Sequence, residues 1–163
     1  MKKFELTAES KINIFGKKLF RIKALISFGD VEEGETGGWI EKEENLEQSS
    51  GDAWVYGDAE VSGNARVYGN ARVSGNARVS GNAEVYGNAD YTTIHGFGTQ
   101  FRTTTFFQCE DKQIRVSCGC FLGTIPEFRE QVKNTREGKI AEEYLMIADL
   151  MEKHFVKEKE SGE

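Results

Sequence analysis

The chain has 163 residues, a single proline, eighteen glycines and a formal net charge of −6 at pH 7, which fits one turn-rich domain, or one domain with a cap. Nucleic-acid binding favours a basic face, so this acidic balance predicts no nucleic-acid partner. The sequence has no membrane-length apolar run and no secretory leader, and its three cysteines fit a reducing compartment, so we expect a cytoplasmic protein without a membrane partner.

Residues 1–50 are predicted to combine an N-terminal β unit with an irregular first coil. Apolar and polar residues alternate on both sides of Gly16-Lys17, which predicts a β-hairpin over residues 12–25. Farther on, four apolar residues are spaced by nine, six and nine positions: Val31, Ile40, Leu46 and Val55. Such spacing indicates three-residue insertions in a coil that leads into a regular repeat and blunts its open end.

Residues 51–90 form a repeat of six-residue units. Seven glycines open successive units: Gly51, Gly57, Gly63, Gly69, Gly75, Gly81 and Gly87. Each of the first six units carries a valine at its fifth position, and an alanine follows four residues later. Large and tiny apolar residues suit a narrow, tightly wound sheet, and Gly-Asn or Gly-Asp turns the chain sharply. Repetition at this period predicts a β-solenoid.

The pattern Val-x-Gly-Asn-Ala-x resembles the hexapeptide repeat of left-handed parallel β-helices, in which three units complete one triangular coil. The left-handedness is implied by this resemblance alone. The general rule for parallel strand crossovers would predict a right-handed coil. The predicted fold class is therefore mainly β. A left-handed parallel β-helix occupies residues 51–95, the N-terminal β unit precedes it, and residues 96–163 form a β-hairpin with a two-helix cap.

A coil of three units predicts that residues eighteen apart stack at about 4.8 Å. The outward residues before the valines then pair opposite charges, Glu60 with Arg78 and Arg66 with Glu84. A third outward column holds Trp54, Arg72 and Asp90, which would give this arginine an indole face. Because each arginine has an acidic neighbour, a phosphate-binding stripe is the weaker interpretation.

The outward residues after the valines predict self-association. Tyr68 would stack on Tyr86 along one face, and Ser62 on Ser80 along another. Tyrosine is favoured at interfaces that bury a ring and leave the hydroxyl paired or wet. We therefore expect a homotrimer with Tyr68 and Tyr86 at the contact and the serine face open to water. The alternative is a monomer whose C-terminal helix covers the rings.

The cap region predicts a hairpin and two helices. Two strands joined at Asp111-Lys112 would place Phe107 opposite Val116. Thr124 and the residues after it form a capping box with proline in the first turn, which opens a helix to about residue 136. A second helix is expected from about residue 139 to residue 157, since apolar residues recur there at helical spacing.

The run VSCGCFLGTIPEF with the following EEYL helix, and the leader LFRIKALISFGDVEEGETGGWIEKEENL, resemble a module of phage and other mobile-element proteins of gut bacteria. The resemblance implies the architecture and a phage or prophage origin, hence the host cell's cytoplasm. It implies no settled activity.

Three groups of residues are candidate sites. His95 is the only histidine near the coils and would be the general base of a hexapeptide-repeat acyltransferase, or else a cap histidine satisfied by a backbone group. Arg102, Thr104 and Arg115 bring guanidinium groups and hydroxyls near aromatic rings, which suits an anionic, base-bearing ligand. The alternative for this set is an ordinary Thr/Phe-rich strand with one buried and one wet face.

The cysteines are candidates for zinc ligands together with His95. Cys118 and Cys120 have a single residue between them and would share one face of a strand, whereas the usual zinc knuckle has two residues between. Cys109 would pair with Ile114, away from Cys118. We therefore predict no metal and no cofactor, and interpret the cysteines as small buried core residues.

These observations favour a non-catalytic, trimeric phage-type binding or assembly protein. Its partners would be itself and a small anionic ligand or a host protein, and it would sequester a host signalling nucleotide or that host protein as an anti-defence function. The alternative is an acyltransferase that uses His95. The lack of a clasping loop and of a carboxylate near His95 favours the first hypothesis.

Overall fold

The computed structural model describes residues 2–49 and 51–156. The protein is mainly β, with two α-helices at the C-terminal end of the described chain. The strands are β1 (Phe4–Ile12), β2 (Lys18–Ala24), β3 (Thr36–Ile40), β4 (Trp54–Val55), β5 (Glu60–Val61), β6 (Arg66–Val67), β7 (Arg72–Val73), β8 (Arg78–Val79), β9 (Glu84–Val85), β10 (Tyr91–Phe97), β11 (Arg102–Gln108), β12 (Ile114–Cys118) and β13 (Phe121–Thr124). The helices are α1 (Ile125–Thr135) and α2 (Gly138–His154).

The strands form several small sheets. One has the order β1-β2-β3-β5-β8, one has the order β10-β11-β12-β13, and two contain a single pair, β4-β7 and β6-β9. No one of these sheets is by itself a β-helix, so the left-handed parallel β-helix stays a prediction. Strand β10 continues across residues 95 and 96, where the repeat was predicted to give way to the cap.

The N-terminal hairpin is confirmed, with β1 antiparallel to β2. Its turn is held by Asn13, whose Oδ1 accepts from the backbone N–H groups of Phe15 at 3.0 Å and Lys17 at 2.9 Å. Gly16 has φ +78°, a conformation that costs glycine little. The predicted turn at Gly16-Lys17 is therefore produced by an asparagine bond and a left-handed glycine.

Strands of the repeat block (residues 51–90) pair in parallel with strands eighteen residues farther on. The pairs are β4 with β7, β5 with β8 and β6 with β9. All six repeat valines are fully buried. Ile40 pairs with Val61 and Leu46 bridges to Val67, both over twenty-one residues, so the three-residue insertion predicted between Leu46 and Val55 is present. Val31 bridges only to Phe28 among the described residues, so the insertion predicted before Ile40 stays a prediction.

The predicted charge pairing holds for Glu60, which has two cationic partners. Its carboxylate lies 3.9 Å from Nε of Arg78 and 2.9 Å from Nζ of Lys11, so the lysine of β1 is the closer one. The Glu60 side chain is only 10% exposed, so its ion pairs are less screened by water and contribute more to stability than an ordinary surface pair.

Trp54 pairs with Arg72 over eighteen residues as predicted, but the prediction that the indole lies outward and faces this arginine is wrong. Trp54 is fully buried, because Phe4 and Phe28 pack edge-on against its ring at 6.3 and 5.3 Å between centroids. Arg72 instead lies 3.2 Å from the carboxylate of Asp30. The N-terminal unit therefore covers a position that the repeat pattern alone places outside.

The serine face was predicted to be open to water, and this prediction is also wrong. Ser62 and Ser80 are only 4% and 6% exposed. Beside Ser80, the backbone N–H of Arg78 donates to Oγ1 of Thr105 in β11 at 3.0 Å. A strand from the C-terminal half therefore lies along this part of the repeat block.

The cap contains a four-stranded antiparallel sheet rather than a lone hairpin. Its central register differs by one residue from the prediction, since Phe106, not Phe107, lies opposite Val116. The backbone N–H of Cys109 donates to the carbonyl of Gln113 at 2.9 Å, so Cys109 does not pair with Ile114. Three residues form the loop instead of two, and the last of them, Lys112, has φ +68°.

Strand β11 separates two hydrophobic cores. Phe107 belongs to the core of the repeat block, whereas Phe106 packs with Val116, Phe128 and the two helices. Alternate side chains of a strand point to opposite faces, so one strand serves both cores.

Helix α1 begins with the predicted capping box. The N–H of Glu127 donates to Thr124 Oγ1 at 3.3 Å, and the N–H of Thr124 donates to Glu127 Oε1 at 2.8 Å. Helix α2 ends at His154 with Phe155 as its C-cap, so it stops before the predicted end at residue 157, which itself lies outside the described residues. None of the described helices is long and apolar enough to cross a membrane.

Candidate functional site

The structure places His95 on an exposed part of β10. Its Nδ1 lies 2.9 Å from the Oγ1 of Thr103 on the paired strand. The ring lines a cavity of about 350 Å³ that also contains Arg78, Gln100 and Arg102. No carboxylate of the described residues lines that cavity, so a carboxylate that orients the imidazole is missing from this arrangement.

The predicted ligand residues Arg102, Thr104 and Arg115 do not meet at one place. Thr104 is 1% exposed, and its hydroxyl donates to Sγ of Cys118 at 3.3 Å. Arg115 lies opposite Phe107, five residues along β11 from Arg102, which corresponds to about 17 Å. It forms two bonds with Asp111, at 2.8 and 2.9 Å, and this guanidinium lowers the pKa of Asp111 to about 2.

The three cysteines lie in different environments. Cys109 is buried against the repeat core, and Cys118 is buried against the helices. Cys120 is exposed, because β12 ends at Cys118 and Gly119 turns the chain with φ +60°. The two thiols therefore do not share a strand face, and the prediction of a buried Cys120 is wrong. Over residues 2–49 and 51–156, no group of three His, Cys, Asp or Glu side chains is arranged to hold a metal ion.

A second arrangement, absent from the sequence predictions, lies between the C-terminal sheet and the two helices. We name it the sheet–helix cleft; it has a volume of about 220 Å³. Its principal lining residues are Arg102, Cys118, Cys120, Phe128, Arg136 and Tyr144. Strand β11 supplies the first arginine, and the residue after α1 supplies the second.

Tyr144 is the buried polar residue of this cleft. It is 2% exposed, and its hydroxyl makes no hydrogen bond of good geometry with the described residues. Burial raises the pKa of Tyr144, the adjacent Cys118 thiol raises it further, and the guanidinium groups of Arg136 and Arg102 oppose that rise. Both arginines line the same cleft as this tyrosine. A Cβ atom at Gly98 would lie 2.6 Å from the hydroxyl oxygen, so this glycine leaves the hydroxyl its space.

The two arginines of the cleft have no carboxylate partner among the described residues. Arg102 donates to the amide oxygen of Gln100 at 3.2 Å and packs so closely on Gly119 that a Cβ there would lie 1.8 Å from its Nη1. Within the described chain, Arg136 reaches the carbonyl and hydroxyl oxygens of Thr135, at 3.4 and 3.5 Å. The cleft therefore carries two positive charges that no acid of residues 2–49 and 51–156 neutralises.

The predicted interface residues are stacked. The rings of Tyr68 and Tyr86 lie 3.6 Å apart between centroids, at 40° to each other. Tyr86 is 54% exposed, so no helix of the described chain covers its ring. Burial, and after it the Tyr86 hydroxyl, raise the pKa of Tyr68. An open groove of about 480 Å³ adjoins Tyr68, and its lining is mainly polar: Glu43, Glu44, Glu47, Gln48 and Arg66, with the buried Leu46 and Val67 at its floor.

Comparison with known proteins yields no relative from which a role can be transferred: no model of a protein family matches the chain, and no curated protein matches it significantly.

Proposed function

We propose that this chain is a non-catalytic, trimeric binding or assembly protein of the phage or prophage type, built on a left-handed parallel β-helix. The observation that carries the proposal is the stacked pair of Tyr68 and Tyr86 on the repeat block, in which Tyr68 is half-buried and Tyr86 is exposed. An aromatic ring that the described residues leave uncovered fits a surface for a partner.

The β-helix is supported by the register of the repeat block. Three parallel pairs recur at eighteen residues, and the inward valines and most of the repeat alanines are buried. The turn glycines from Gly51 to Gly81 all have positive φ, which suits a corner between short strands. A triangular coil requires three such short strands, each running in its own direction, for every eighteen residues.

The trimer is supported by the chemistry of its proposed contact. Burying the Tyr86 ring would stabilise the assembly by about 25 cal/mol for each Å² of apolar area removed from water. Its hydroxyl would remain at the wet rim of the contact. We place three chains side by side, with the tyrosine columns parallel to a common axis. The contact would extend over the adjoining groove, whose charged residues, Arg66 among them, would form its polar rim.

Light scattering on the purified chain tests this proposal. The expected mass is close to three times the chain mass of 18.3 kDa. The Tyr68→Arg, Tyr86→Arg double variant should shift the mass to that of a single chain. Met146→Arg is the matched control, because Met146 is 68% exposed on α2 and its replacement should leave the trimer intact. A wild-type mass of one chain refutes the trimer, and a trimer that survives the double change uses another face.

The bound partner is proposed to be a small anionic ligand, including a host signalling nucleotide, or a host protein. Sequestration would constitute the anti-defence role. Isothermal titration with a panel of nucleotides, alongside acetyl-CoA, tests the small-molecule branch. Tight binding of a nucleotide without its consumption supports sequestration, whereas turnover of acetyl-CoA refutes a non-catalytic role.

A second candidate function is acyl transfer with His95 as the general base. The observation that favours it is the exposed ring in a cavity of about 350 Å³, held by the Thr103 hydroxyl at 2.9 Å. Thioester consumption in the presence of amine and hydroxyl acceptors would be measured for the wild type and for His95→Ala. Activity that depends on His95 supports this candidate, and its absence with every acceptor removes it.

A further inference from the structure

We propose that the sheet–helix cleft binds a small phosphate monoester, with Arg102 and Arg136 on the phosphate and the Tyr144 hydroxyl donating a hydrogen bond to it. The inference deepens the proposed binding function and rests on it for its biological context. It replaces the predicted ligand set of Arg102, Thr104 and Arg115, because the structure separates Arg115 from the other two.

The charge of the cleft favours a dianion. Neither Arg102 nor Arg136 forms an ion pair within the described residues, and both line the same cleft as Tyr144. Arginine presents its donors in a planar fork that fits phosphate and carboxylate oxygens. One carboxylate would be satisfied by one such fork, whereas two forks and a hydroxyl donor match the three terminal oxygens of a phosphate monoester.

The buried hydroxyl is the independent observation that points to a ligand. Tyr144 is 2% exposed and belongs to the core between the sheet and the helices, and its hydroxyl oxygen makes no hydrogen bond of good geometry in the described chain, although the Cys118 thiol lies beside it. Buried polar groups in native proteins are almost always hydrogen-bonded, and an unpaired one needs an explanation. The hydroxyl oxygen is closed to solvent, so a phosphate oxygen between the two arginines would accept from it after a small movement of the neighbouring wall of the cleft.

The size and lining of the cleft limit the ligand. A volume of about 220 Å³ is below the range of roughly 300–1,000 Å³ that is typical of drug-sized ligands, so a dinucleotide is too large for it. Phe121 and Phe128 contribute apolar walls beside the arginines. Phenyl phosphate, which combines a dianionic group with one ring, is therefore the probe that we choose.

Arg136 has a competing role at the C-terminus of α1. Its Nη1 lies near the Thr135 carbonyl, where a cation stabilises a helix end. The contacts of 3.4 and 3.5 Å are long compared with the usual distance of about 2.9 Å, so this role leaves most of the guanidinium donors free. A purely structural Arg136 would affect thermal stability and not ligand affinity.

Isothermal titration with phenyl phosphate, benzoate and inorganic phosphate tests the inference. Phenyl phosphate should bind most tightly, and Arg102→Gln and Arg136→Gln should each weaken it by about ten-fold or more. Arg115→Gln is the matched control, since that arginine is already paired with Asp111, and its affinity should equal that of the wild type. His95→Ala should also have no effect, although its ring shares a neighbouring cavity with Arg102.

Tyr144→Phe separates a role of the hydroxyl in binding from a role in stability, because the two roles predict different changes in affinity and in melting temperature. The change removes an unpaired buried hydroxyl and keeps the ring, so the free protein should melt at the same or a higher temperature. Its affinity for phenyl phosphate should nevertheless fall by about five-fold or more. A variant that binds phenyl phosphate as the wild type does would overturn the role of the hydroxyl.

The remaining outcomes are also decisive. Absence of phenyl phosphate binding, or undiminished binding in the Arg102→Gln and Arg136→Gln variants, overturns the proposal. Equal affinity for benzoate or inorganic phosphate overturns the assignment to monoesters, and a loss of affinity in His95→Ala moves the ligand to the other cavity. A monomer that binds phenyl phosphate refutes the trimer alone, whereas a trimer that does not bind it refutes this inference alone.

Discussion

Asn45 joins the irregular N-terminal segment to the repeat block, and we predict that Asn45→Ala strongly destabilises the protein. The side chain is fully buried. Its Oδ1 accepts from the backbone N–H groups of Glu41 at 3.1 Å and Lys42 at 2.9 Å. Its Nδ2 donates to the carbonyl oxygens of Gly63 at 3.2 Å and Ala65 at 2.9 Å.

The bond from Asn45 Nδ2 to the Ala65 carbonyl replaces a backbone hydrogen bond of the parallel ladders. The carbonyls of Ala59, Ala71, Ala77 and Ala83 accept from backbone N–H groups of the preceding layer. At Ala65 the Asn45 amide takes that place. An alanine at position 45 would therefore interrupt the hydrogen bonding between successive layers at one corner.

The size of the effect follows from the groups that the change leaves unpaired. The N–H of Glu41 retains a bond to the carbonyl of Val61 at 3.1 Å, whereas the other three backbone groups have no alternative among the described residues. An unpaired buried group costs about 1–3 kcal/mol, and partial exposure of two of them reduces the total to roughly 2–4 kcal/mol. For a chain of this length that corresponds to a fall in Tm of roughly 4–16 °C.

Thermal and urea unfolding followed by circular dichroism measure this change, at one fixed protein concentration because assembly shifts apparent stability. Asn76→Ala is the matched control, since Asn76 occupies an exposed repeat turn and should change stability by less than about 0.5 kcal/mol. Equal unfolding of the two variants would refute the reasoning. Asn45→Asp should be at least as damaging as Asn45→Ala, because it loses both donors and places a carboxylate against two carbonyl oxygens.

Three further predictions concern other parts of the chain. Gly51→Ala should lower Tm more than Gly57→Ala. Both glycines have positive φ, but of the two only Gly51 is placed so that a Cβ would lie 2.3 Å from a carbonyl oxygen of the next layer. Equal melting temperatures of the two variants would contradict this prediction. NMR titration should place the pKa of Asp111 near 2 and return it towards 3.8 in Arg115→Gln. Because the folded pKa is the lower one, the stability that this carboxylate contributes is present above about pH 4 and is lost as the pH falls towards 2; an ordinary pKa in the wild type would exclude the pairing. Cys118→Ser should cost about 1 kcal/mol on unfolding in urea through lost apolar burial, whereas the same change at the exposed thiol two residues on should be nearly neutral; the reverse order would contradict the burial.

The regular part of the fold was predictable because its pattern is periodic. Glycine spacing and the valine positions predict parallel pairing over eighteen residues, and Thr124 with Glu127 predicts the start of α1. The hairpin register was missed because loop length depends on Lys112, a residue type that gives no sign of a positive φ. The burial of Trp54 was missed because its cover comes from Phe4 and Phe28, which are distant in sequence.

The sheet–helix cleft could not be predicted from local patterns. Its two arginines are separated by thirty-four residues, and only the packing of α1 against the sheet brings them together. Tyr144 occupies a helical face with Ile147 and Met151, so periodicity predicts a core residue, which is correct for its ring. Periodicity says nothing of whether its hydroxyl finds a partner.

An experimental structure of the purified assembly tests the central claim most directly. The account predicts three chains about an axis parallel to the repeat block, with the rings of Tyr68 and Tyr86 at the contact. Tyr86, 54% exposed in the single chain, should become largely buried. A single chain, an assembly of another symmetry, or a trimer in which Tyr86 keeps its exposure would contradict the account.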